Sequence, residues 1–219
     1  MRLSDCFPES YIVADIETTG LDARRDRIIE VAYIYVENRT PRQTVSRLIN
    51  PHYPEKTFTV PREITCLTGI TSEDVNTGDS PYDVISDFTS KIPGKHVYFH
   101  NGFRFDIPFI ETEAFRVGAA YPLNPSYLDT AALYKAYKMD ILSWIEKYDT
   151  FEEFAHAVLS LRAKGVKYSI KHCCSEMGID IKEAGNLHRA ATDAYLTHRI
   201  VEALRKILIE GGDGQEGEV

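Results

Sequence analysis

Two acidic residues follow an apolar run near the N-terminus of the chain. In 12-IVADIETTGLD-22, Asp15 and Glu17 are two residues apart. On a β-strand, residues i and i+2 face the same side, so both carboxylates are expected on one face. Like charges held this close repel each other, and a cation between them would offset the repulsion. The spacing therefore predicts a metal site with further ligands elsewhere in the chain.

Two later segments supply candidate ligands. In 100-HNGFRFDIPFI-110, Asp106 stands where a helix is predicted to begin after a strand, and a helix N-terminus stabilises a carboxylate. In 186-NLHRAATDAYLT-197, His188 precedes Asp193 by five residues. Five residues on an ideal helix separate two side chains by about 140°. We therefore expect His188 at or before the first helical turn, with Asp193 further inside the helix.

These side chains together predict phosphoryl-transfer chemistry. Oxygen ligands with open positions suit Mg²⁺ or Mn²⁺ better than zinc. Two such cations about 4 Å apart can activate a water and stabilise the leaving oxygen of an in-line displacement. A histidine, with an unperturbed pKa near 6.5, can take the proton of that water. Taken singly, Asp106 also fits a helix N-terminal charge and His188 a helix-end residue.

The elements that must position these residues alternate between strands and helices. Three strands joined by short connections predict an antiparallel meander. The expected fold class is α/β: a mixed β-sheet, made of the meander plus parallel strands and flanked by helices. Strands are predicted at 11–16, 28–36, 43–49 and 96–100. Residues 61–75 are predicted to form short helices that are broken at Gly69. Longer helical segments are predicted at 80–92, 101–116, 129–137, 141–163, 169–177 and 187–209.

No internal repeat or long linker divides the chain. We expect a tail over residues 1–10, a single domain over 11–209, and a disordered, acidic, Gly-rich tail over 210–219. Within the domain, an additional helical segment at about 141–163 is expected to begin its second half with a Thr150–Glu153 capping box and to stop at Gly165. It either pads the domain core or forms a partner surface or lid.

Composition limits the function classes. A formal net charge of -8 over 219 residues argues against a protein that depends on electrostatic grip of a nucleic-acid backbone. No apolar run approaches the length of a membrane span, so no membrane partner is expected. The four cysteines lack zinc-like spacing. Free thiols, together with an N-terminus that lacks an apolar signal region, predict a cytoplasmic location.

Three motifs carry a resemblance to a known family. They are 15-DIETTG-20, 100-HNGFRFD-106 and 188-HRAATD-193, with a weaker echo in 64-ITCLTGIT-71. Over roughly residues 11–205 the chain resembles the DEDDh exonucleases, the DnaQ-like branch of the ribonuclease-H-like fold, which includes polymerase proofreading domains and three-prime repair exonucleases. The sister DEDDy branch would carry a tyrosine at position 189, where this chain has arginine. His188 therefore favours the DEDDh branch.

The resemblance implies a metal-dependent 3′→5′ exonuclease that releases nucleoside monophosphates from single-stranded 3′ ends of DNA, with RNA as a possible substrate. Two divalent cations, Mg²⁺ or Mn²⁺, are implied. Asp15, Glu17 and Asp193 would hold the first, Asp15 with Asp106 the second, and His188 would be the general base.

The resemblance also implies contacts with the substrate. Backbone amides near Thr18 and Thr19 would face the terminal nucleotide, and Leu21 and Ile70 would act as apolar wedges. The implied substrate-binding residues are Thr18, Thr19, Gly20, Leu21, Ile70, Asn101 and Phe105. Plainer interpretations remain open for three of them: a simple turn at Gly20, turn packing for Leu21, and a core position for Ile70.

Two features set this chain apart from the common family pattern: a longer second motif, and a longer stretch between 129–137 and 169–179, which the segment 141–163 fills. The second motif is one residue longer than the usual form, which predicts that Phe103 or Arg104 lies nearer the nucleic acid. About ten residues follow the last predicted helix, so we expect a free-standing nuclease rather than a polymerase-associated proofreading subunit.

Two further functions stay open from sequence: a catalytically silent binding module and an endonuclease. The sequence does not predict an oligomeric state.

Overall fold

Five strands form one mixed sheet at the centre of the molecule. A computed structural model describes residues 1–182 and 187–211. The strands are β1 (Tyr11–Thr18), β2 (Ile28–Glu37), β3 (Thr40–Leu48), β4 (His96–Phe99) and β5 (Ser126–Asp129). Their spatial order is β3-β2-β1-β4-β5. β1, β2 and β3 pair antiparallel, whereas β4 runs parallel to β1 and to β5. The predicted mixed sheet, a three-strand meander plus parallel strands, is confirmed.

Helices cover the sheet and join its strands. They are α1 (Arg62–Thr68), α2 (Ser72–Asn76), α3 (Pro81–Lys91), α4 (Asp106–Val117), α5 (Thr130–Lys138), α6 (Phe151–Ser160), α7 (Ile170–Glu176) and α8 (Ala190–Arg205). Short 3₁₀ helices span Leu3–Cys6 and Leu142–Lys147, and a π-helical turn spans Lys206–Glu210. Among residues 1–182 and 187–211, no helix is long and apolar enough to cross a membrane.

The sheet topology determines where the site lies. Residues 11–14 of β1 are buried on both faces, as expected of a central strand. Because β1, β4 and β5 are parallel, their carboxyl ends meet at one edge of the sheet, where ligand sites of open α/β sheets form. Helix α8 packs across β1 and β2 and brings its N-terminus to the same edge.

Several local expectations differ from the structure. β5 was not predicted, because 126-SYLD-129 is short and runs directly into α5. The segment 141–163 is not one helix: it contains the 3₁₀ helix and α6, and α6 ends at Ser160, where Leu161 turns extended, rather than at Gly165. The Thr150–Glu153 capping box is confirmed.

The apolar side of α6 packs into the main core. Phe154, Ala155 and Val158 are fully buried there, so this helix contributes to the domain core. Residues 1–10, expected as a tail, include the first 3₁₀ helix, and Cys6 and Phe7 are also buried. Of the expected C-terminal tail, residues 212–219 lie outside the described residues.

Candidate active site

Three carboxylates converge at the carboxyl end of β1. Asp15 and Glu17 come from that strand and Asp193 from the first turn of α8. Each offers one oxygen within 4.8 Å of the oxygens offered by the other two. A register shift between Glu17 and Thr18 in the β1–β2 pairing ends the regular ladder at this point. Bulges of this kind commonly re-aim side chains beside active sites.

Burial and mutual repulsion favour the protonated forms of these acids. Desolvation, followed by the charges of Asp106, Asp193 and Glu17, raises the pKa of Asp15 well above its usual range. Desolvation and the charge of Asp193 raise the pKa of Glu17 to about 8. Desolvation also raises the pKa of Asp193, against the opposing charge of His188. The cluster thus stores unfavourable electrostatic free energy that a bound cation would relieve.

The predicted fourth acid, Asp106, stands at the first position of α4 and is buried. It is not among the three mutually close oxygens, but its charge acts on Asp15. Desolvation is the main cause that raises the pKa of Asp106 to about 8, while backbone amides partly oppose the shift. Asp106 therefore adjoins the cluster on the Asp15 side.

The donor set fits hard divalent cations. All of its ligand atoms are carboxylate oxygens, which Mg²⁺ and Mn²⁺ prefer. Asp193 Oδ1 is buried and has no hydrogen-bond partner among the residues that the structure describes, and a buried acceptor of this kind normally has one. Asp15, Glu17 and Asp193 could hold one cation, and Asp15 with Asp106 a second.

His188 lies just outside the helix that carries Asp193. Helix α8 begins at Ala190 after the N-cap Arg189, which confirms that His188 precedes the first helical turn. The backbone of His188 is left-handed, with φ of 61°, an uncommon conformation for a residue other than glycine and one that clusters at functional sites. Its Nδ1 is 4.0 Å from Asp193 Oδ2, and 52% of its side chain is exposed.

An ion pair that the sequence analysis missed anchors this loop. Arg189 donates from Nη2 to Glu30 Oε1 over 2.9 Å and from Nε to Glu30 Oε2 over 3.1 Å. The amide of Ala190 and the hydroxyl of Ser46 also donate to Glu30, whose side chain is only 1% exposed. An acid inside the apolar run 28-IIEVAYIYV-36 was the available signal. The pair holds the backbone on both sides of the His188–α8 junction.

The loop of the second motif is held by Asp129, also missed from sequence. This fully buried acid at the end of β5 accepts from the amides of Asn101 and Phe103 and from two amides at the start of α5. Burial raises the pKa of Asp129, and these four amide hydrogen bonds oppose the rise. Asn101 is left-handed, with φ of 66°, and its buried Oδ1 has no hydrogen-bond partner among the described residues.

His100 ties this motif to the segment before α7. Its Nε2 donates to the carbonyl of Tyr168 over 2.6 Å, and its Nδ1 lies 2.8 Å from Thr130 Oγ1. Desolvation lowers the pKa of His100 to about 4, so the ring is neutral near pH 7. His100 is therefore a structural link at the floor of the site.

A cleft of about 240 Å³ opens over the acids. Five of the seven predicted substrate-binding residues line it: Thr18, Gly20, Leu21, Asn101 and Phe105. Leu21 is 88% exposed, so its side chain is accessible to a ligand in the cleft. Gly20 is also required by the turn, because a Cβ there would come within 2.4 Å of the Asp26 carboxylate.

Thr19 and Ile70, the other two predicted substrate-binding residues, are not among the described residues that line this cleft. The amide of Thr19 donates to the Arg27 carbonyl over 2.9 Å, and its hydroxyl bonds Asp26, so Thr19 closes the turn. Ile70 is 1% exposed and packs in a small core with Ile29, Val60 and Val75. In its place, Ile64 and Leu67 of α1 line the cleft, and Leu67 is 52% exposed.

Comparison with known proteins identifies the type of domain. A family model described as RNase_T, Exonuclease, matches residues 12–201. A DNA polymerase III PolC-type from Caldanaerobacter subterraneus subsp. tengcongensis is 32% identical over 144 residues, 66% of this chain and 10% of that protein. The PolC-type of Mycoplasma genitalium is 25% identical over 96% of this chain and 12% of that protein. The chain thus spans about a tenth of these relatives.

Other similarities agree with this assignment. The 3'-5' exonuclease DinG of Bacillus subtilis is 28% identical over 62% of this chain and 15% of that protein. The structure of E. coli Exonuclease I in complex with a dA16 oligonucleotide superposes with a TM-score of 0.67 and 17% identity. That match covers 93% of this chain and 42% of the other, and it shows a shared ribonuclease-H-like fold.

Proposed function

The chain belongs to the RNase_T exonuclease family, within the DnaQ-like, ribonuclease-H-like superfamily, and on that premise we propose that it is a 3′→5′ exonuclease of the DEDDh type. It removes nucleoside monophosphates one at a time from single-stranded 3′ ends. The observation that carries the proposal is the convergence of Asp15, Glu17 and Asp193 within 4.8 Å, with His188 4.0 Å from Asp193 at the rim of the cleft.

In the proposed hydrolysis, the acids bind the cations and His188 transfers a proton. Asp15, Glu17 and Asp193 would hold one divalent cation, and Asp15 with Asp106 would hold the other. When bound, the two cations supply positive charge that offsets the carboxylate repulsion and stabilises charge that develops on the phosphate. His188 accepts one proton of the attacking water while the water oxygen bonds to phosphorus. The bond to the preceding 3′ oxygen breaks, and that oxygen gains a proton, which leaves a new 3′-hydroxyl and a free nucleoside 5′-monophosphate.

The loose placement of His188 suits this role. More than half of its side chain is exposed, so the ring can reach a water above the acids, while the Glu30–Arg189 ion pair fixes the backbone beside it. Leu21, Ile64 and Leu67 present apolar surface at the mouth of the cleft, where they can pack against the terminal base. The exposed leucines lose hydration when they do so, which favours binding.

DNA is the preferred substrate class in this proposal. The curated relatives include DNA polymerase III PolC-type proteins, and the similar structure of Exonuclease I contains a dA16 oligonucleotide. RNA remains a substrate to test beside it, because discrimination depends on contacts with the 2′-hydroxyl.

Product analysis tests this function. A single-stranded DNA oligomer is incubated with the protein in Mg²⁺, and the same oligomer with a blocked 3′ end serves as the matched control. Release of nucleoside 5′-monophosphates from the free end alone supports the exonuclease. Internal fragments from both oligomers would replace it with an endonuclease, and no hydrolysis would leave a binding module.

The PolC-type relatives favour a second candidate, a proofreading exonuclease that works beside a DNA polymerase. The same chemistry would then act on mismatched 3′ ends within a duplex. Rates on paired and mismatched primer termini separate the two candidates. A strong preference for the mismatch supports proofreading, whereas equal, slow rates on both duplexes with fast hydrolysis of single strands support the first candidate.

A further inference from the structure

A second cavity continues from the acids along the segment before α7. It has a volume of about 680 Å³, and its lining includes Asn101, His188 and Asp193 of the site together with Lys167, Tyr168 and Lys171. The two lysines are exposed. This cavity therefore leads directly from the proposed scissile position to a surface that carries cations and an aromatic ring.

Tyr168 separates this cavity from a third one. The third cavity, of about 380 Å³, is lined by Tyr168 together with Arg104, Lys135 and residues 159–163, which include Arg162. Among the described residues, none that lines it is acidic. We call Arg104, Lys135, Arg162, Lys167 and Tyr168 the basic groove. It is formed by the two features that set this chain apart from the common pattern: the longer second motif contributes Arg104, and the segment after α6 contributes Arg162.

Lys135 is the buried centre of the basic groove. Its side chain is 2% exposed, and Nζ donates to the carbonyls of Leu159 and Leu161 over 3.0 and 2.7 Å. An ammonium has three protons, so one remains for a ligand. Nζ also lies 5.1 Å from the centre of the Tyr168 ring. Burial, and next the charge of Arg104, lower the pKa of Lys135.

Three cations of the basic groove have no acidic partner in the part of the chain that the structure describes. Within residues 1–182 and 187–211, the side chains of Arg104, Arg162 and Lys167 form no ion pair, although the chain carries an excess of acids. By contrast, Arg27 and Arg189 are each paired with a buried glutamate. Unpaired like charges held together create a positive potential that attracts an anion.

We propose that the basic groove binds the strand on the 5′ side of the scissile bond, with its cations on successive backbone phosphates and Tyr168 against a base. This proposal rests on the proposed exonuclease function, which supplies the 3′ end at the acids. Basic grooves with aromatic platforms are how proteins hold single strands without sequence preference. Because these cations are clustered in one groove, the protein can bind a strand there although its net charge is -8.

The test compares two variants with the same change in charge. The groove variant carries Arg104→Gln and Arg162→Gln. The control variant carries Arg42→Gln, on the edge strand β3, and Lys95→Gln, just before β4 at the end of that strand away from the acids. Binding of a labelled single-stranded DNA dodecamer is measured in Ca²⁺ across a salt series, and hydrolysis of a dinucleotide and of the dodecamer is measured in Mg²⁺.

The groove variant should bind the dodecamer roughly tenfold more weakly, as expected for the loss of two charged contacts. Its slope of log K against log salt should fall by about 1.4, since each phosphate contact with a single strand contributes about 0.7. Dinucleotide hydrolysis should match wild type, because a dinucleotide does not reach the groove. The control variant should behave as wild type in every assay.

Two results would overturn the basic groove as a strand site: an unchanged salt slope in the groove variant, or equal losses on the dinucleotide and the dodecamer. A wild-type protein that binds the dodecamer through the groove but hydrolyses nothing would instead refute the exonuclease function and leave the groove proposal intact.

Discussion

Replacing Asp15 with asparagine should stabilise the cation-free protein while it abolishes hydrolysis. Asp15 offers an oxygen within 4.8 Å of ligand oxygens of both Glu17 and Asp193. At an effective dielectric constant of about 20, each charged pair at this distance repels by about 3.5 kcal/mol. Protonation of Glu17, whose pKa is raised to about 8, limits the repulsion. We therefore expect the free energy of unfolding to rise by about 2–4 kcal/mol at pH 8.

The effect should depend on pH with a defined sign. Because burial raises the pKa values of Asp15, Glu17 and Asp106, the folded protein binds more protons than the unfolded chain between about pH 4 and pH 8. Wild-type stability in EDTA should then fall as the pH rises through this window. The advantage of Asp15→Asn should be largest at pH 8 and vanish below about pH 3, where the carboxyls are neutral in both states.

Thermal unfolding in EDTA measures this difference. One kcal/mol shifts Tm by about 2–4 °C in a domain of this size, so Asp15→Asn should unfold about 4–16 °C above wild type at pH 8. Added Mg²⁺ should raise Tm for wild type and little for the variant. Asp140→Asn, at an exposed residue with left-handed backbone, is the matched control and should leave Tm unchanged. A Tm for Asp15→Asn at or below wild type would refute the repulsive cluster.

Two further predictions concern residues that the structure revealed. Glu30→Gln weakens the ion pair that holds Arg189 and should therefore displace His188. We expect kcat to fall by about 10²-fold and KM to change little. A kcat equal to that of wild type would show that the ion pair does not position the loop. Leu67→Ala should raise KM with no loss of stability, because the side chain is half exposed, whereas Ile70→Ala should lower the free energy of unfolding by about 2–5 kcal/mol with KM retained. Steady-state kinetics measure KM and urea unfolding measures stability for each variant. A raised KM in Ile70→Ala, with KM unchanged in Leu67→Ala, would show that Ile70 and not Leu67 contacts the terminal base.

The acidic cluster was accessible from sequence because local periodicity defines it. The alternation of a strand puts Asp15 and Glu17 on one face, and helical geometry places His188 before the helix that carries Asp193. The order of strands and helices likewise predicted the mixed sheet, since connection rules leave few topologies.

The remaining features depend on contacts between distant parts of the chain. Glu30 and Arg189 are 159 residues apart, and nothing local to either residue predicts the pair. The left-handed backbone of His188 arises in a loop whose conformation depends on that pair and on the neighbouring strands. Ile70 is apolar in both interpretations, and only its packing against Ile29 and Val75 separates a core residue from a wedge. β5 escaped prediction because four residues carry too little periodicity.

The most direct test of the account is digestion of 5′-labelled single-stranded DNA and RNA oligomers of one sequence, in Mg²⁺ and in EDTA, by the wild-type protein and by Asp15→Ala. We expect a one-nucleotide ladder that shortens from the 3′ end, requires Mg²⁺, is lost in the variant and forms faster on DNA. No cleavage of either strand in Mg²⁺ or Mn²⁺, or a ladder that persists in Asp15→Ala, would contradict it.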